Sequence, residues 1–240
     1  MNLAYPDPVT RLRDPQTRRP YNSARRRAAA AGSRHAVLTA GRELLLRYGY
    51  RATTIRAVAE RAGVSQDTIY KTFGSKQQLM KAIYDVTVAG DDKPVPIGQR
   101  PPIRRVLQAS DPHEKVRLYA QFVADFMQRL GGLLAVLTEA DPQIAEISAA
   151  TEAERLAGVR AFVGHLAREG HLRTALTQDH AADACWSLTS PQLFAQLTQA
   201  RGWTAATYRQ WLADMITATL LGIGSRDSRD DSAPDDAGLP

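Results

Sequence analysis

The chain has 240 residues, 44% of them hydrophobic, which is enough to bury a core without help from disulfides or metals. Its single cysteine, Cys185, excludes an internal disulfide and a cysteine-rich zinc site, and no run of about 18 apolar residues is present to span a membrane. The net charge of +6 is lopsided. Residues 1–32 carry seven arginines against Asp7 and Asp14, and residues 33–90 carry nine Lys or Arg against four acids, so each segment stands at +5. Residues 91–224 stand at −1 and residues 225–240 at −3. That is the distribution of a polyanion-binding end joined to a near-neutral body.

Taken in chain order, residues 1–32 hold four prolines and the run Arg25-Arg26-Arg27, and read as a disordered arm. The opening MNLAYPDPVTRLRD sets prolines and charges where a secretory signal needs an apolar run, so the expected location is the cytoplasm. A first helix is expected from near Ser33 to before Gly49, with Val37, Leu38, Gly41, Leu44, Leu45 and Tyr48 on its apolar face. Thr53 or Thr54 caps a short second helix ending near Arg61, Ser65 caps a third over SQDTIYKTF, and Ser75 caps a fourth running to about Val88.

The Pro- and Gly-dense stretch DDKPVPIGQRPP, residues 91–102, is expected to be a loop dividing a head (33–90) from a body (103–224). In the body, Asp111-Pro112 opens a helix to about Leu130 with Val116, Tyr119, Ala120, Val123 and Met127 inward, and Leu133–Ala140 continues it. Asp141-Pro142 opens a long helix to about Arg168. Further helices are expected near Thr177–Thr189, Pro191–Ala200 and Thr204–Leu221, before an acidic disordered tail over 225–240. No segment alternates at period two over strand length, so the fold class is all-α, a three-helix head with a connecting fourth helix followed by a helical bundle.

The segment TIRAVAERAGVSQDTIYKTF, residues 54–73, carries the strongest signal. A helix-turn-helix needs a small residue where its helices cross, supplied by Ala59, and a turn residue that tolerates positive φ, supplied by Gly63. Val58, Val64 and Ile69 then pack the two helices together and leave Ser65, Gln66, Asp67, Tyr70 and Lys71 facing a major groove.

With these residues in place, residues 33–85 resemble the DNA-binding domain of the tetracycline-repressor (TetR) family. The resemblance rests on Thr53-Thr54-Ile55, Ala62-Gly63-Val64-Ser65, Ile69-Tyr70-Lys71-Thr72-Phe73 and Ser75-Lys76. The body resembles actinobacterial members only in length, helical content and its Trp-rich end. The resemblance implies that Thr54 holds a phosphate at a helix N-terminus and that Gln66 reads adenine. It implies too that Thr68 meets a thymine methyl or a phosphate, that Tyr70 meets a phosphate or base edge, and that Lys76 pairs with the DNA backbone. The chain departs from the family at Lys71, where many members carry a second aromatic, and at Thr72, often His. Asp67 either accepts from a cytosine amino group or is a first-turn acid favoured by the helix dipole. The arginine-rich arm either lies along the minor groove or is an inert leader.

The resemblance also implies a homodimer through the last two long helices, where Leu212, Met215, Ile216, Thr219 and Leu220 form an apolar stripe. It places an effector cavity in the body, with Tyr119, Phe122, Phe126, Phe162, His165 and Trp186 as candidate lining for a small, mainly apolar molecule. The expected function is a ligand-responsive repressor binding a palindromic operator in double-stranded DNA. The alternatives are an effector-independent or architectural DNA-binding protein, or an activator with the same head. The five histidines are scattered, Cys185 has no evident base, and no phosphate-cradling glycine loop occurs, so no enzymatic activity, cofactor or metal is expected.

Overall fold

The computed structural model describes residues 21–136 and 141–221, with side chains from Ser23 onward. The first helix, α1 (Tyr21–Ala52), starts twelve residues before Ser33, which corrects the reading of residues 1–32 as one disordered arm. The prolines stop at Pro20, and from there the sequence is rich in Ala and Arg, strong helix formers that hold residues 23–32 helical although all are exposed. Residues 1–20 and the tail from residue 222 lie outside the described residues. The helix breaks at Gly49 (φ 75°, ψ 178°), a conformation open to glycine. That break turns Tyr50 into the core and leaves Tyr48, expected inside, 53% exposed.

Helices α2 (Ile55–Ala62), α3 (Gln66–Phe73) and α4 (Lys76–Ala89) follow, and each is started by a hydroxyl. Thr54 accepts from the Ala57 N–H, Ser65 from Thr68 and Ser75 from Gln78. Beyond α4 the chain makes a short turn and then α5 (Pro101–Gln108), a helix not expected from the sequence, whose first two residues end the stretch 91–102 that reads as loop. Its Pro101 and Pro102 occupy the first turn, where no N–H is needed. The body continues with α6 (Pro112–Leu130), α7 (Leu133–Val136), α8 (Pro142–Arg168) and α9 (Gln178–Leu188). It ends with α10 (Pro191–Ala195), which runs on as a π-turn to Ala200, and α11 (Ala205–Leu220). The expected helix over Leu133–Ala140 is described only to Val136. Among the described residues no helix is long and apolar enough to cross a membrane.

Two cores hold this all-α arrangement. The body core joins α6, α8, α9 and α11, with Val116, Tyr119, Ala120, Val123 and Met127 all buried as expected. Leu212, Ile216 and Leu220 are fully buried in that same core, so the expected interface stripe mainly serves the chain's own packing. The head core gathers Val37, Leu45, Tyr50, Val58, Ile69, Phe73 and Met80, and it is completed from the body by Leu133, Val136, Ile144 and Ile147.

Candidate functional site

The turn between α2 and α3 is built as the sequence requires. Gly63 is left-handed (φ 67°, ψ 32°), the Val64 N–H reaches the Ala59 carbonyl at 3.1 Å, and Ala59 and Ile69 are buried where the helices meet. Fixing that inner face points Gln66, Asp67, Tyr70, Lys71 and Thr72 outward, all exposed, with Tyr70 50% accessible. Ser65 and Thr68 share a hydroxyl contact of 2.9 Å, and the Thr72 hydroxyl donates to the Thr68 carbonyl at 2.7 Å. These three polar side chains are therefore partly spent on their own helix. Thr54 is exposed with its hydroxyl oxygen used as a cap. Lys76 is half-buried, with its ammonium 4.0 Å above the Tyr50 ring and 3.5 Å from the Arg51 carbonyl.

A cavity of about 840 Å³, within the size range of small-molecule sites, lies where α4 and the 91–100 segment meet α5, α6 and α8 of the body. Its floor is aromatic. Tyr119 stacks on Phe162 with centroids 3.8 Å apart, and Phe122 lies 5.8 Å from Phe126. Four of the six expected lining residues are thus in place, and two are not. Trp186 is 36% exposed, its ring packed under the Arg155 guanidinium on the outer side of α9. His165 is drawn away from the cavity by Lys115, a wholly buried lysine whose ammonium donates to the Leu107 carbonyl (3.2 Å), His165 Nε2 (3.0 Å) and Glu169 (3.0 Å). Three donors meet three acceptors, which is what keeps a buried ammonium tolerable. Burial, and then the Lys115 charge, hold the His165 pKa below its ordinary value. The Lys115 hydrogen bond likewise holds the Glu169 carboxyl below the usual range.

Cations that hydrophobic periodicity passes over organise the cavity rim. Arg100 is nearly buried and donates to the carbonyls of Ala89, Lys93 and Val95 and to Asp91, which folds the 89–99 segment around itself. Arg155 grips Glu152 and the Trp186 and Thr189 carbonyls. Arg34 of α1 chelates Asp92 at the cavity mouth (2.7 and 3.1 Å) and lays its guanidinium 4.8 Å from the centroid of Phe73, the last residue of α3. One side chain therefore touches both the cavity rim and the end of the outward-facing helix. Along α8 the head is tied by Gln77 to Glu146 (2.6 Å) and by Lys81 to Glu154 (2.9 Å). Burial pushes the Cys185 thiol up to about 12, which leaves it unreactive.

The family model for bacterial regulatory proteins of the tetR family matches residues 37–83. The HTH-type transcriptional repressor KstR of Rhodococcus jostii is 30% identical over 195 residues, covering 80% of this chain and 84% of that protein. The chain belongs to the TetR family. The uncharacterized HTH-type transcriptional regulator YvkB of Bacillus subtilis is 47% identical over 47 residues, a fifth of this chain and a quarter of YvkB's length. The structure of SmeT in complex with triclosan shares the TetR fold with a TM-score of 0.62 at 16% identity, covering 80% of this chain and 93% of that one. Within the family frame, α2 and α3 form the helix-turn-helix and α5 to α11 form the body.

Proposed function

We propose that the chain is a transcription regulator that binds a palindromic operator in double-stranded DNA as a homodimer and releases it when a small, mainly apolar effector fills the body cavity. The observation that carries this reading is the outward row on α3, held rigid by the Gly63 turn and the Ser65 cap. Gln66 offers an amide for adenine, while Tyr70 and Lys71 offer a hydroxyl and a cation for phosphates or base edges. Thr54, Ser65, Asp67, Thr68 and Thr72 complete the facing surface. Lys76, tied to Tyr50, sits at its edge and braces the start of α4 against the end of α1.

One head reads a few base pairs, so specific binding calls for two heads about 34–36 Å apart, one helical turn. The C-terminal helices α9 and α11 supply the dimer contact through outward residues such as Trp186, because Leu212, Ile216 and Leu220 are committed within the chain. KstR's name as a repressor and the triclosan held by SmeT support the ligand-responsive repressor over an activator or an architectural protein. The role is one of binding rather than catalysis, and its place is the cytoplasm, where the DNA is.

The test is fluorescence anisotropy of the purified protein on its own upstream region and on random duplex. A clear preference for the upstream region is expected. Gln66→Ala should relax that preference, and Lys71→Ala should weaken all sequences alike while lowering the salt slope by about 1. Equal binding to both duplexes would overturn the assignment.

A further inference from the structure

We infer that the effector is an anionic amphipath, an apolar body ending in a carboxylate or similar anion that settles at a cavity mouth where Lys93 and Arg168 are the lining cations without an ion-pair partner among the described residues. The inference rests on the cavity reading above and deepens it.

The interior asks for no polar ligand atoms. The Tyr84 hydroxyl is engaged with Thr151, and Thr151 in turn donates to the Ser148 carbonyl. Thr189 and Arg155 satisfy each other, and the Tyr119 hydroxyl is bonded to Cys185. A polar group carried into that interior would lose its water without finding a partner. The ligand's body is therefore apolar, and its polar end stays at the mouth.

The charge at the mouth sets the sign of that end. Four carboxylates line the cavity, and each is already held: Asp85 and Glu154 by Lys81, Asp91 by Arg100 and Asp92 by Arg34. Of the lining cations, Arg155 spends its charge on Glu152. Lys93 and Arg168 remain, and among the described residues neither has a carboxylate within ion-pair distance. Arg168 gives only its Nε–H, to the Gly164 carbonyl. The corner where two acids share Lys81 lies far from Arg168, since Glu154 and Arg168 are fourteen residues apart on α8, about 21 Å along the axis. The lining thus holds two cations with no carboxylate in ion-pair distance and no carboxylate without a cation, beside apolar residues such as Val95 and Leu107.

The probes are three ten-carbon chains differing only at one end: decanoate, decanol and decyltrimethylammonium, each below its micelle concentration. They are followed by thermal shift and calorimetric titration on the full chain. Decanoate should bind tightest. Lys93→Gln with Arg168→Gln should weaken decanoate about 5- to 30-fold and leave decanol unchanged. Gly158→Phe serves as the control for binding inside the cavity, because Gly158 lines it and a Cβ there meets nothing within 4 Å. This variant should abolish binding of all three probes while keeping the melting cooperative. Lys93→Gln alone, at an exposed loop position, keeps the test open if the double variant folds poorly. Equal affinity for all three ends, or preference for the ammonium, would overturn the anionic end and leave the cavity reading standing. Binding that survives Gly158→Phe would overturn both.

Discussion

If ligand and operator communicate, Arg34 is where the cavity mouth touches the outward-facing helix α3, and removing its guanidinium should uncouple them. Asp92 rides on the rim segment that a ligand must disturb, and Phe73 ends α3. The Arg34–Asp92 pair is bidentate with both side chains about one-third exposed (33% and 29%), a setting worth about 0.5–1 kcal/mol. The guanidinium over the Phe73 ring adds about 0.5–1 kcal/mol. Arg34→Gln should therefore lower the ligand's effect on operator affinity by about 1–2 kcal/mol, or roughly 5- to 30-fold. Asp92→Asn keeps the Phe73 contact and should lose about half as much. The assay is operator affinity by anisotropy with and without saturating ligand, checked by the reciprocal measurement of ligand affinity with and without operator. Should both variants bind each partner normally and show an unreduced coupling factor, the relay through Arg34 is wrong and α8 carries the signal alone.

Three further outcomes follow from the geometry. Gly63→Ala should cost about 1 kcal/mol or more in a denaturant melt; a Cβ there meets nothing within 4 Å, so the penalty is the left-handed backbone alone and Gly63→Asn should cost less. Ile144→Ala should cost about 2–5 kcal/mol and weaken operator binding, because this fully buried α8 residue belongs to the head core; a loss of under about 1 kcal/mol would contradict that packing. Stability should also fall with acid. The folded chain resists protonating His165, whose pKa sits below the ordinary 6.5, while the unfolded chain takes the proton up. The stabilisation is complete above about pH 6.5 and declines below it, with Glu169 adding to the decline further down. His165→Gln, which still offers Lys115 an acceptor, should flatten melting curves between roughly pH 7 and 5, and an unchanged slope would clear His165.

Most helix starts were readable in the sequence, because a hydroxyl or an Asp-Pro pair marks them with a local chemical signature, whereas α1 and α5 begin without one. Thr54, Ser65, Ser75, Asp111 and Asp141 all cap where expected. Pro101-Pro102 carries only the proline half of that signature, and the prolines before it made the whole stretch look like loop. At the site, the outward row of α3 followed from its buried partners. Four of the six expected lining residues were legible and two were not, because an aromatic residue's type does not say which way it faces: Phe162 turned in and Trp186 turned out. Arg34, Arg100 and Lys115 were illegible. A periodicity argument counts charged residues as surface, whereas these three are placed by partners elsewhere in the chain, Arg34 and Asp92 being 58 positions apart. Gly49 was legible as a stop but not as a turn that exchanges Tyr48 for Tyr50.

The proline-rich stretch that divides the sequence does not divide the energetics. Leu133, Val136, Ile144 and Ile147 come from beyond it and fill the head core, so the head's interior is finished only when α7 and α8 dock. Helix α8 is then a rod of 27 residues, about 40 Å, with one end inside the head core and the other forming the cavity wall from Gly158 to Phe162. Close-packed interiors move as units rather than yielding residue by residue. A ligand that displaces the cavity end of α8 must therefore displace the head end too, or break the Gln77–Glu146 and Lys81–Glu154 contacts along the way. Either outcome alters how α3 is presented. Coupling between the two sites would then follow from α8 being packed into both cores, with Arg34 adding a second link from the rim to the last residue of α3.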